Sequence, residues 1–144
     1  DRPEHTYIAG ASMGGYGALV HAMKDTEQYR VVGAFSPATV WAKDLEEKVG
    51  HKFPEPMDLY QIIRDDVDAG KKLPDIFFCV GNNDFLIESV DRFEEYLNEL
   101  KIDHRFDRVD GYEHEWRFWE LELPEILNWL PRTDSYAKMG KHKM

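Results

Sequence analysis

Ile8-Ala9-Gly10-Ala11-Ser12-Met13-Gly14-Gly15-Tyr16-Gly17-Ala18-Leu19 is the stretch on which the fold turns. Gly10, Ser12 and Gly14 fit the pattern G-x-S-x-G. A serine whose oxygen is to attack a carbonyl must stand clear of the backbone around it. A sharp, strained turn between a strand and a helix achieves this, and glycines two before and two after leave room for it. Tyr7-Ile8-Ala9 predicts a short buried strand ahead of the turn. Gly17 to Met23 predicts a helix with small residues where it would cross a sheet. The bland alternative is a glycine-rich strand–helix turn without chemistry. The flanking strand, the helix and the extra Gly15 and Gly17 favour the nucleophile.

Outward from the turn, strand and helix patterns alternate. Strands are predicted at Thr6 to Ala9, Arg30 to Ser36, Ile76 to Val80 and His104 to Val109. The last alternates apolar and polar residues, which suits a position nearer a sheet edge. Helices are predicted from about Gly15 to Lys24, over Glu88 to Leu100, and over Trp116 to Leu130. Val90, Phe93, Leu97 and Leu100 share one face of the second. Phe118, Trp119, Leu123, Ile126, Leu127 and Leu130 form the apolar side of the third, with Pro124 expected to kink or restart it. Such alternation implies an α/β fold, three layers α/β/α, with a mostly parallel sheet and right-handed crossovers. Residues 38–73 interrupt the rhythm, as a lid-like insertion or equally as a solvated connection, with short helices expected at Asp44 to Val49 and Leu59 to Ala69. One domain over residues 1–132 is expected, followed by a frayed, basic tail at 133–144.

The net charge of −10 argues against a nucleic-acid partner, because a phosphate backbone demands a basic face. It argues equally against an anionic membrane surface. No apolar run approaches the roughly 20 residues that span a bilayer. With no signal peptide visible, a cytoplasmic location is the expectation, or a secreted one if a leader has been removed. Cys79 is the single cysteine, so no internal disulfide is possible. Its place in the run Ile76-Phe77-Phe78-Cys79-Val80 predicts a buried, inert thiol. No histidine pairs with cysteine or carboxylates at metal-ligand spacing, so neither a metal nor another cofactor is expected.

Serine alone is a poor nucleophile near neutral pH. It needs a general base, and the base needs an orienting carboxylate. For a serine on such a turn, these follow in the order acid, then histidine. Asp84 stands directly after the third strand, in Gly81-Asn82-Asn83-Asp84-Phe85. Its competing role is that of a turn or cap aspartate before the next helix. His114 stands in the loop after the fourth strand, where Gly111 gives the chain freedom to carry the imidazole back over the sheet. Asp107, inside a strand, and Asp110, close before His114, are the reserve acids. Asp65, Asp66 and Asp68 fit a solvated helix face. The aromatic residues Tyr16, Trp41, Phe85, Tyr112 and Trp116 can line a pocket for an acyl or aryl group, although core packing explains aromatics equally well.

Taken together, IAGASMGGYGA, FSPA, GNNDF and GYEHEW make residues 5–130 resemble the esterase D group of α/β-hydrolases. That group includes tributyrin esterases, S-formylglutathione hydrolases and feruloyl or acetyl-xylan esterases. The elbow is specific to the fold; Gly111, His114 and Trp116 in G-x-x-H-x-W are more specific to the group. The resemblance implies Ser12 as nucleophile, Asp84 as acid, His114 as base and the Met13 amide as one oxyanion-hole donor. It implies hydrolysis of short-chain acyl or aryl esters, the substrate being a small molecule or carbohydrate-linked. Members carry several further strands before the elbow strand, whereas only five residues precede it here. The expectation is therefore a carboxyl-terminal half, whose strand at Thr6 to Ala9 pairs with an amino-terminal half or a second copy. Two other functions use the same features: a catalytically impaired association module, and an acyltransferase with the same triad.

Overall fold

Val31 to Phe35 is apolar or glycine at every position, and every one of these residues is buried. The same holds from Ile76 to Gly81. Continuous apolar runs of this length are what central parallel strands need, because helices cover them on both faces. The computed structural model describes residues 2–39, 50 and 58–131. Four strands, β1 (Tyr7–Ala11), β2 (Val31–Phe35), β3 (Asp75–Gly81) and β4 (His104–Val109), form one sheet in the order β1-β2-β3-β4. All three pairings are parallel; Ala9 sits opposite Gly33, and Phe35 opposite Cys79.

Between strands run α1 (Met13–Lys24), α2 (Leu59–Asp68) and α3 (Ile87–Glu99), and α4 (Trp116–Trp129) follows β4. The pleat sorts the strand residues between two cores. Val32, Ala34, Ile76, Phe78 and Val80 face α1, α2 and α3, meeting Leu19, Met23, Ile63, Phe93 and Leu97. Phe35, Phe77 and Cys79 face the other way, against Phe118 and Ile126 of α4. The result is the expected three layers. A strand that always crosses to the next on one face, with the same hand, advances steadily across the sheet. That leaves β1 and β4 as the edges among the described residues. Cys79 is buried and unpaired, and burial pushes its thiol up, out of reach of ionisation near neutral pH.

Several local expectations are corrected. β1 runs on through Gly10 and Ala11, and α1 begins at Met13, so the turn at Ser12 is tighter than the predicted boundaries allow. α4 runs through Pro124 without restarting, because Phe118 and Ile126, on either side of it, are both anchored in the core. Leu123 and Leu127 are exposed rather than core-facing. Asp66 is buried, not solvated, and Lys71 reaches its carboxylate at 3.4 Å. Burial raises the Asp66 carboxyl from its usual range, with Lys71 opposing. The expected helix at Asp44 to Val49, Trp41 and the tail from residue 133 lie outside the described residues.

The stripe that α4 does bury is Phe118, Glu122, Ile126, each one turn apart. Glu122 is only 3% exposed. Its partner is Asp107 of β4, which Arg105 grips through Nε at 3.1 Å and Nη2 at 2.9 Å. Arg105 also reaches Glu125 at 2.9 Å. Burial, followed by the Asp107 carboxylate, pushes Glu122 up to about 8. A carboxyl raised in this way holds its proton against Asp107 over a wider pH range than an exposed glutamate. In the unfolded chain the same group titrates in the ordinary carboxylate range. Between that range and about pH 8 the unfolded chain has lost a proton that the folded chain keeps, so stability falls as pH rises through this window. Glu122→Gln keeps a donor toward Asp107 and cannot titrate. Urea melts at about pH 5 and pH 8 are expected to differ less for the variant, with the variant the more stable at the higher pH. An unchanged difference would place the titration on another group.

Candidate active site

Ser12 joins β1 to α1 with φ 56° and ψ −121°, a left-handed conformation rare for a residue with a side chain. Such strain costs about 1–3 kcal/mol and persists only where the surroundings over-determine it. Here they do. The Ser12 N–H donates to Phe35 C=O at 2.8 Å, and its own C=O accepts from the amides of Gly15, Tyr16 and Ala38 at 3.0, 3.2 and 3.1 Å. Gly10 is forced by close approach: a Cβ there would stand 2.2 Å from the Gly14 carbonyl oxygen. The turn thrusts the serine side chain out at the carboxyl ends of the strands.

Asp84 lies just past β3, with its side chain wholly buried. Its Oδ1 accepts the Leu86 N–H at 2.8 Å, and its Oδ2 lies 2.8 Å from His114 Nδ1. The capping and orienting roles, which compete in sequence, are thus held by two oxygens of one group. His114 comes from the loop between β4 and α4. That loop is laid across the end of β3 by Asn82 N–H to Val109 C=O at 2.9 Å and Asn83 N–H to Tyr112 C=O at 3.0 Å. Gly81 makes the crossing possible, since a Cβ there would lie 2.3 Å from the Tyr112 carbonyl oxygen. His114 Nε2 stands 2.8 Å from Ser12 Oγ.

The tautomer follows from the partners. A carboxylate only accepts, so Nδ1 carries the proton and donates to Asp84. Nε2 is left with its lone pair toward the Ser12 hydroxyl. Hydroxyl, imidazole and carboxylate form one chain, in which a proton leaving Ser12 has a receiver and the resulting imidazolium has a counter-charge. The Met13 N–H heads α1, where no intrahelical acceptor exists for it, at the positive end of the helix dipole.

Of the predicted pocket residues, Phe85 and Trp116 are 77% and 75% exposed. The Phe85 ring lies 5.0 Å from the imidazole, and Trp116 lies 4.8 Å from Trp119. Tyr16 is half-buried and packs against the core on the α1 side. Burial raises its hydroxyl, with a backbone hydrogen bond to Leu59 opposing. The Tyr112 ring lies tilted against Phe118, with centroids 5.6 Å apart, and under the Arg117 guanidinium at 4.7 Å. The reserve acids are engaged elsewhere: Asp107 with Arg105 and Glu122, and Asp110 with Asn82. Two residues that the sequence does not single out are Trp119, against the imidazole, and Ser36, which accepts the Trp119 indole N–H. Trp119 lies only five residues after His114, but its apolar setting disguised it as core.

The family model described as "Putative esterase" matches residues 1–130. The acetyl esterase of Caldicellulosiruptor saccharolyticus is 26% identical, over 90% of this chain and 56% of that protein. The S-formylglutathione hydrolase FrmB of Staphylococcus aureus superposes with a TM-score of 0.75 at 22% identity, over 89% of this chain and 51% of that one. FphF, a fluorophosphonate-binding serine hydrolase of the same organism, does so with a TM-score of 0.77 at 20% identity, over 89% and 55%. The chain spans about half the length of the relatives it matches. The two structural likenesses show the fold.

Proposed function

We propose that this chain, which belongs to the esterase family, carries the nucleophile, base and acid of a serine carboxylesterase acting on short-chain acyl or aryl esters. The observation that carries this reading is the unbroken link from Ser12 Oγ through His114 to Asp84, 2.8 Å at each step. Ser12 attacks the ester carbonyl as His114 Nε2 takes its proton. The Met13 N–H supports the developing oxyanion. The imidazolium then returns the proton to the departing alcohol, leaving an acyl group on Ser12, and a water activated by the same nitrogen releases it as the acid. Exposed Phe85 lies against the imidazole and exposed Trp116 against Trp119 next to it, which suits a small or flat acyl group.

A second element rests on the sheet edge. β1 has no strand beyond it among the described residues, and Tyr7 is 38% exposed there. An unpaired edge on an apolar strand invites pairing. Together with the half-length match, this supports a sheet that continues past β1 and supplies a second oxyanion donor, from a preceding segment or another chain. One experiment tests both elements. The protein, with and without a segment preceding β1, is treated with a fluorophosphonate probe and assayed on p-nitrophenyl acetate and butyrate. Labelling mapped to Ser12, with hydrolysis increased by the added segment, is the expected result. Hydrolysis that survives full labelling, or a label on another residue, would overturn the triad. Equal turnover with and without the segment would overturn the edge.

A further inference from the structure

The indole ring of Trp119 stands at right angles to the His114 imidazole, with centroids 5.3 Å apart. Its Nε1–H donates to Ser36 Oγ at 2.9 Å. Ser36 is completely buried, follows β2 directly and holds a left-handed φ of 45°. Its N–H donates to Cys79 C=O at 2.8 Å, which pins it to β3. Two residues on, the Ala38 N–H donates to the Ser12 carbonyl at 3.1 Å. Pro37, between them, packs on the elbow, where a Cβ on Gly15 would come within 3.2 Å of it. The three residues Ser36-Pro37-Ala38 therefore touch Ser12 directly and reach His114 through Trp119. One end holds the backbone of the serine, and the other holds the ring that walls the histidine.

Asp84 alone does not confine the imidazole. A single hydrogen bond at Nδ1 fixes one end of the ring and leaves it free to swing about that bond. Phe85 touches the ring too, but it is 77% exposed and is itself unconfined. Trp119 is half-buried and tethered. A tether to a buried side-chain hydroxyl, on a residue that follows β2 and is bonded to β3, restricts the indole, and alignment of a base with its nucleophile depends on such restriction.

We propose that Ser36 and Trp119 are a positioning pair that holds the His114 imidazole in line with Ser12 Oγ; this rests on the serine–histidine–aspartate reading above. Trp119→Phe keeps a ring against the histidine and removes the N–H. Ser36→Ala removes the acceptor from the other side. In the full chain each is expected to lower kcat about tenfold to a hundredfold, with KM within about twofold. The rate of fluorophosphonate labelling falls in parallel. The double variant loses no more than the worse single, because both remove one tether. Melting midpoints stay within about 3 °C of the parent, and the titre of labelled sites stays complete. Parental kcat in Trp119→Phe, losses that multiply in the double variant, or a fall explained by a reduced titre would each overturn the proposal. Ser12→Ala separates the two levels of argument. If it hydrolyses ester within tenfold of the parental rate, the triad reading fails. If it is inert while Trp119→Phe matches the parent, only the positioning pair fails.

Discussion

Ser12→Ala is expected to reduce kcat/KM for a short ester by about 10⁴–10⁶, to the level left by binding and oxyanion contacts alone. The size follows from what the oxygen does. It is the only atom of this serine that reaches His114, at 2.8 Å, and without it there is no acyl-enzyme to divide the reaction into two easier steps. The backbone around position 12 does not depend on the hydroxyl. Its N–H and C=O are held by Phe35, Gly15, Tyr16 and Ala38, and all four contacts survive the change. The alanine variant should therefore fold, melt close to the parent and bind substrate with an altered KM of less than an order of magnitude. Steady-state kinetics on p-nitrophenyl acetate, with circular dichroism melts as the folding control, make the check. A variant that folds and retains a tenth of the parental rate would remove Ser12 from the chemistry.

The parts of the site that were legible in the sequence are those that local sterics dictate. Gly10 could be read because nothing else fits against the Gly14 carbonyl. Asp84 and His114 could be read because a parallel sheet delivers the ends of β3 and β4 to the same rim as the elbow, so chain order alone places their loops there. The central strands announced themselves by unbroken apolar runs. What stayed hidden depends on partners far away in sequence. Glu122 counts as polar in any periodicity, so its place on the buried stripe of α4 was assigned to Leu123. Only Asp107, on a different element, makes its burial tolerable. Asp66 is hidden for a different reason: its partner Lys71 is close in sequence but stands past the helix end, where helical periodicity does not reach. Trp119 was seen as core because its apolar ring is what hydropathy scores. The bond that gives it a role crosses 83 positions to Ser36. Pro124 predicts a kink or a restart of α4, and the restart does not occur, because core anchors hold the helix on both sides of it.

Asp84→Asn is the second large effect, and it separates orientation from mere polarity. The asparagine has the same shape as the aspartate. Its carbonyl oxygen can still accept the Leu86 N–H, which Oδ1 now takes at 2.8 Å, so the turn into α3 is retained. The other position then becomes an NH₂ group facing His114 Nδ1, where a carboxylate oxygen stood at 2.8 Å. An amide N–H donates, so Nδ1 must present its lone pair and the ring proton moves to Nε2. A protonated Nε2 cannot accept the Ser12 proton, and the imidazolium also loses its buried counter-charge. A fall of about 10⁴ in kcat is expected, with KM and folding little changed. The pH profile supplies the distinguishing mark. Hydroxide can replace the lost base, so activity in the variant should climb with pH where the parental enzyme has levelled off. Rates on p-nitrophenyl acetate from about pH 6 to pH 10, with site titre measured by slow fluorophosphonate labelling, resolve this. A variant within tenfold of the parent would mean that Asp84 serves the turn before α3 and nothing more.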